Sequence, residues 1–223
     1  MSSKQGIMII KDDETLDLSM TLITGMKAKN SLIVAADGLA GFDIYGLEHL
    51  GKKYTKTAQK LYPVSNRIIV GYAGSKINWS QRFVSGLSEF AVINPNITVK
   101  DFALLIPPYV NFLYSDRFND PEFFLSVFVA GYSPEQDIPE MYLVHNGDVS
   151  SWGDDHPWMT VGHGDLESDD YIKKRHIGKL MSAKKTREIL LGAIGVVSEK
   201  YPECVGGHNS LFEVTKSGVT KLQ

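Results

Sequence analysis

The chain has 223 residues, 43% of them apolar and 22% charged, with a net charge of −3. These values belong to a globular chain long enough to bury a large core, and nothing in the charge balance calls for a polyanionic partner such as nucleic acid. One cysteine, Cys204, excludes an internal disulfide, and no apolar run approaches the ~20 residues of a membrane helix, so the cytoplasm is the expected location.

In chain order, residues 1–20 read as a polar, weakly patterned leader or propeptide-like segment, too poor in apolar residues for a signal peptide. The stretch "MTLITGMKAKNSLIVAADGLA" then holds two short apolar strands, Leu22 to Met26 and Leu32 to Ala36, joined by Lys27 to Ser31. Residues 41–59 form a glycine-spaced loop. "KLYPVSNRIIVGYAG" gives two more strands around a turn at Ser65-Asn66. Trp79, Phe83, Leu87 and Phe90 recur at helical spacing and predict a helix over 76–92. Thr98 caps a second helix carrying Val99, Phe102, Leu105, Val110 and Phe112, which Pro107 and Pro108 are expected to kink or break. "EFFLSVFVAGYS" is a buried strand, and "EMYLVHNGDVSSW" a hairpin turning at Asn-Gly. Ser182 caps a long helix over 183–200 with Ile189, Leu190, Ala193, Ile194 and Val197 on one side. A hairpin turning at Lys216-Ser217-Gly218 closes the chain. Runs of strands followed by runs of helices predict an α+β fold in which antiparallel sheets carry helices segregated onto them. One domain over 21–223 accounts for every element.

Two residues stand out. Thr21 heads the first strand, and Asp37 closes the second. A threonine hydroxyl is a weak nucleophile without an adjacent base. If residues 1–20 were removed, Thr21 would gain an α-amino group with a pKa of about 7.7–8.0, a base within the same residue. A neighbouring lysine would lower that pKa and help activate the hydroxyl, and a carboxylate would hold the lysine in place. Asp37 can be that carboxylate, and Lys60 is the candidate lysine.

The spacings give this arrangement a likeness. Thr21 lies sixteen positions before Asp37, in a strand-hairpin-strand ending Ala35-Ala36-Asp37, with Gly25 and Lys29 between. Lys60 opens a strand, and Ala73-Gly74 closes the next one fourteen positions later. In these features the chain resembles the β subunits of the proteasome and their bacterial relatives, a family of N-terminal-nucleophile hydrolases. The likeness is carried by 21–37 and 60–83. It implies a four-layer αββα sandwich, with two antiparallel sheets flanked by helices. It implies a threonine-type peptidase that forms an acyl-enzyme on Thr21, with Asp37 orienting Lys60 and the Gly74 N–H donating to the oxyanion. It places Tyr72 and Lys76 at the substrate pocket, and His163 in "VGHGD" where the family has a serine near the terminal amine. It implies no cofactor or metal, a peptide or unfolded-protein substrate, a homo-oligomeric ring and room for an ATPase partner. Pro202 and Val205 stand where the family has an aspartate and a serine before Gly206-Gly207, and Glu203 is one residue away from the aspartate's place. A ring subunit without activity, and an amidase acting on a small amide, are the alternatives. Thr21 would become terminal by processing of the leader, or by translation from Met20 followed by loss of that methionine.

Outside this set, Asp154, Asp155 and His156 in "WGDDHPW" have no second histidine or cysteine at ligand spacing and read as a solvated loop. The Gly162-His163-Gly164 run is too short for a phosphate loop.

Overall fold

The computed structural model describes residues 14–17, 21–44, 53–55, 58–74, 80–114, 125–134, 139–151, 156–176 and 178–223. Among these residues it is an α+β fold with two five-stranded antiparallel sheets and four helices. One sheet has β2 (Leu22–Lys27) and β3 (Leu32–Ala36) at its centre, flanked by β11 (Trp158–Gly162) on one side and by β12 (Ser210–Thr215) and β13 (Gly218–Lys221) on the other. The other runs in the order β10 (Asp148–Ser151), β9 (Pro139–His145), β8 (Leu125–Tyr132), β7 (Ile68–Gly74), β6 (Leu61–Pro63).

Both sheets bury both faces, so their central strands are buried throughout rather than alternating. The strand period of two sorts their side chains. Ile23, Val34 and Ala36 of one sheet meet Ile69, Ala73, Phe128 and Ala130 of the other in a shared cluster. Leu22, Met26, Ile33 and Ala35 point the opposite way, onto α4 (Ala183–Lys200) and α3 (Asp165–Lys173). Val70, Tyr72, Val127 and Val129 pack against α1 (Ser80–Ile93) and α2 (Val99–Tyr114). Two glycines let the sheets come close. A Cβ on Gly25 would lie 2.5 Å from the Phe128 ring, and one on Gly71 would lie 2.8 Å from Leu61 and 2.9 Å from Ile23.

The expected hairpin turn at Asn-Gly is present, with φ 46° at Asn146 and 95° at Gly147, the paired positive values of a two-residue turn. Thr98 caps α2 by accepting from the Asp101 N–H (3.0 Å) and donating to its carboxylate (2.7 Å). Ser182 caps α4 by accepting from the Lys185 N–H, and the five apolar residues expected on that helix are buried.

Three expectations change. α2 is not broken at Pro107-Pro108 but continues to Tyr114. Phe102, Ile106 and Val110, at i, i+4 and i+8, anchor both halves, while exposed Pro108 lies on the solvent side, where water can bond the carbonyl it frees. Phe112 is 79% exposed, since the buried stripe runs through Ala103 and Ile106 instead. Within the expected loop 41–59 and the leader, β1 (Glu14–Asp17), β4 (Ala40–Ile44) and β5 (Lys53–Thr55) form a three-stranded antiparallel sheet, with Glu14 opposite Ile44 and Gly41 opposite Tyr54. Lys76, Trp79, Asp154, Asp155 and Met20 lie outside the described residues. Among those described, no helix is long and apolar enough to cross a membrane.

Candidate active site

Thr21 directly precedes β2, and Asp37 directly follows β3. The antiparallel register pairs Ile23 with Ala36, so the start of one strand and the end of the other meet at one edge. There the Leu22 N–H donates to Asp37 Oδ1 (2.9 Å), and the Asp37 N–H donates to the Leu22 carbonyl (3.2 Å). Lys60 comes from the opposite sheet, just before β6. Its Nζ donates to the same Asp37 Oδ1 at 2.7 Å, and both side chains are fully buried. The ammonium and the amide of the residue after Thr21 therefore share one oxygen.

The other oxygen of Asp37 is also occupied. Oδ2 accepts from the Leu39 N–H (3.1 Å) and from the Gly206 N–H (3.1 Å). Gly206 in turn accepts from the Gly38 N–H (2.8 Å), and the Gly38 carbonyl accepts from the Ala58 N–H (2.9 Å). That chain of bonds ties the segment leading into Lys60 to the turn that carries Asp37. Burial pulls the Lys60 pKa below its ordinary value, and the charge and hydrogen bond of Asp37 oppose that pull.

Thr21 itself has no exposed surface, and its Oγ1 has no hydrogen-bond partner among the described residues. The His163 N–H fixes its carbonyl at 2.8 Å. Gly162 makes that approach possible: a Cβ there would lie 1.8 Å from the Thr21 oxygen, and its φ of 108° disfavours any side chain. The His163 ring stands edge-on to Tyr201 (4.8 Å), whose hydroxyl donates to Glu167 at 2.9 Å. Lys200 also bonds Glu167, and the two contacts hold that carboxyl down at about 2.

The remaining candidates are placed as follows. Gly74 is buried at the end of β7, opposite Leu125. Tyr72 is 2% exposed, stacks on Tyr62 (5.7 Å) and meets Phe83 edge-on (6.1 Å), on the helix side of its sheet. Glu203 is exposed and accepts from Cys204 Sγ, away from Asp37, while Val205 is fully buried beside α4. The structure thus gathers Thr21, Asp37 and Lys60, with the His163 backbone, around one edge. Gly206 and Gly162 are the contributors that the sequence did not mark. The Gly206-Gly207 pair and the glycines flanking His163 in "VGHGD" were their signals in the sequence.

No family model matches the chain, and no curated protein matches it.

Proposed function

We propose that this chain is a threonine-type peptidase of the N-terminal-nucleophile kind, similar to proteasome β subunits in its four-layer αββα sandwich, and that it acts when Thr21 is the first residue. The observation that carries this reading is the fully buried Lys60–Asp37 pair, bonded through one oxygen to the amide that follows Thr21. A buried ion pair is costly to desolvate and does not by itself favour folding, so its bond to the amide that follows a buried threonine points to chemistry.

In the chain beginning at Thr21, the α-amine takes the hydroxyl proton as Oγ1 attacks the peptide carbonyl. The Lys60 ammonium favours the neutral amine and the developing alkoxide. The Gly74 N–H donates to the oxyanion, which collapses to an ester on Thr21 as the leaving amine takes the proton. Water, deprotonated by the same amine, then hydrolyses the ester. The His163 N–H keeps the Thr21 backbone still throughout. No metal or cofactor takes part. Substrates are peptides or unfolded proteins, reached inside a homo-oligomeric ring in the cytoplasm that leaves room for an ATPase partner. The likeness to that family would give Tyr72 and Lys76 the recognition of the substrate side chain.

In the full chain the hydroxyl is inaccessible and the α-nitrogen is an amide, so this form is inactive. A second reading, a ring subunit without activity, draws on buried Val205 and exposed Pro202, which bring no polar side chain to the site. The test compares protein beginning at Thr21 with the full chain on fluorogenic peptides and on small amides. Peptide hydrolysis by the shorter protein alone is expected. Hydrolysis of amides only would make it an amidase, and hydrolysis of neither would support the inactive subunit.

A further inference from the structure

The His163 N–H that holds the Thr21 carbonyl lies between two glycines in left-handed backbone, Gly162 (φ 108°) and Gly164 (φ 75°). Glycine has the widest backbone freedom of any residue, so the chain on either side does little to fix the direction of that N–H. The half-buried His163 ring is the one side chain this Gly-His-Gly segment has. It stands edge-on to the ring of Tyr201, with centroids 4.8 Å apart and planes at 89°. Edge-to-face contact is a favoured aromatic geometry.

Tyr201 is itself fixed from several sides. It caps α4, and its N–H donates to the Val197 carbonyl (2.8 Å). Its hydroxyl donates to Glu167 Oε1 (2.9 Å) in the first turn of α3, which starts directly after the glycines. That bond ties the segment following His163 to the end of α4, so His163 lies inside a closed loop of contacts. A Cβ on Gly164 would lie 2.3 Å from Val197 Cγ1, so the segment is pressed against the last turn of α4. The Tyr201 carbonyl accepts from the Cys204 and Val205 N–H groups, both at 3.0 Å, in the turn that brings Gly206 to Asp37 Oδ2. One residue thus adjoins both supports of the site, His163 on Thr21 and Gly206 on Asp37.

The charges beside it matter less. Lys200 bonds Glu167 and stands 4.9 Å from the Tyr201 ring centroid, but the two charged side chains are 53% and 26% exposed. An ion pair in contact with water is screened and adds little. Glu167 remains an anionic acceptor at any working pH, its carboxyl being held down at about 2. The half-buried ring and hydroxyl of Tyr201 therefore carry the coupling.

We propose that Tyr201 is a positioning residue of the Thr21 site: its ring fixes the His163 side chain, and the His163 N–H then fixes the peptide plane at Thr21. It acts through His163 rather than on a substrate. The effect on the Thr21 backbone is a property of the full chain, and the effect on turnover rests on the peptidase reading.

Amide hydrogen exchange, followed by NMR on the full chain, reads the first effect. The reference is the Lys27 N–H, bonded to the Pro157 carbonyl (2.7 Å) at the other end of the β2–β11 pair. Tyr201→Leu removes ring and hydroxyl and should speed exchange of the His163 amide at least ten-fold. Tyr201→Phe keeps the ring and should speed it about two- to five-fold, and Lys200→Met less than two-fold. The Lys27 amide should change less than two-fold in all three. In a His163→Ala background Tyr201→Phe should have no further effect on the amide of residue 163, because the ring it acts through is gone. That comparison decides the question even if Tyr201→Leu does not fold. In protein beginning at Thr21, Tyr201→Phe should lower kcat at least three-fold and leave KM within two-fold. A His163 amide indifferent to Tyr201→Phe, a Lys27 amide that speeds up equally, additivity with His163→Ala, or an unchanged kcat in an active protein would each overturn the proposal. A Thr21-initiated parent that hydrolyses no peptide counts against the peptidase reading, and the exchange rates still decide the role of Tyr201.

Discussion

Asp37→Asn removes the charge of the buried pair while keeping the shape of the side chain. The two carboxylate oxygens accept four hydrogen bonds, two each: Leu22 N–H and Lys60 Nζ on Oδ1, Leu39 N–H and Gly206 N–H on Oδ2. An asparagine amide offers one oxygen and one NH₂. Whichever way it is turned, the NH₂ faces two donors, so one pair loses its acceptor. Bonds to charged groups contribute about 1.5–3 kcal/mol each, and stranding one member of a buried ion pair costs about 3–5 kcal/mol. Because the remaining oxygen still serves two donors, the expected loss is about 3–5 kcal/mol rather than the sum of four bonds. For a chain of this size, about 2–4 °C per kcal/mol puts the Tm roughly 6–20 °C below the parent. Urea unfolding at pH 7 of Asp37→Asn, Lys60→Met and the double variant measures this. Lys60→Met should cost less in the Asp37→Asn background than alone, by at least about 1 kcal/mol, because the charges it separates are already gone. A single-variant loss under about 1 kcal/mol, or strict additivity, would refute the shared-oxygen geometry.

Further outcomes follow from other contacts. Gly162→Ala places a Cβ against the Thr21 carbonyl at a backbone φ that disfavours it, so a loss of about 1–3 kcal/mol in urea unfolding is expected, together with at least ten-fold lower peptidase activity in the Thr21-initiated protein. Gly25→Ala presses on the Phe128 ring between the sheets and should cost about 1–3 kcal/mol as overpacking, which the double variant Gly25→Ala, Phe128→Leu partly relieves. His176, whose ring packs on Trp158 at 5.1 Å, has its pKa lowered by burial from 6.5. The folded state then binds this proton less readily than the unfolded chain, so the contribution is full above pH 6.5 and falls as pH drops through and below that value. His176→Gln should flatten that part of the stability–pH curve measured by thermal unfolding.

The parts of the fold legible in the sequence were those written in side chains. Leu22 to Met26, Leu32 to Ala36 and the strand in "EFFLSVFVAGYS" are apolar runs bounded by turns, and the stripe Ile189, Leu190, Ala193, Ile194, Val197 marks α4. β1, β4 and β5 escape because they are short and pair through backbone, which carries no pattern. β11 and α3 were not resolved as elements, since α3 is polar for most of its length and buries only Ser168 and Ile172. Pro107 and Pro108 mislead because local propensity is a weak prior once Phe102, Ile106 and Val110 are packed. The same division applies at the site. Thr21, Asp37 and Lys60 are chemically distinctive, and the likeness of their spacing to that of a known family singles them out. The amides of Leu39, Gly206 and His163 act through groups that every residue but proline possesses.

The most direct test of the central claim is covalent labelling of the Thr21-initiated protein with a peptide epoxyketone, read by intact mass and peptide mapping. One adduct on Thr21 is expected, absent from the full chain and slowed at least a hundred-fold in a folded Lys60→Met variant. No adduct, an adduct elsewhere, or labelling indifferent to Lys60 would contradict the assignment of Thr21 as an activated nucleophile.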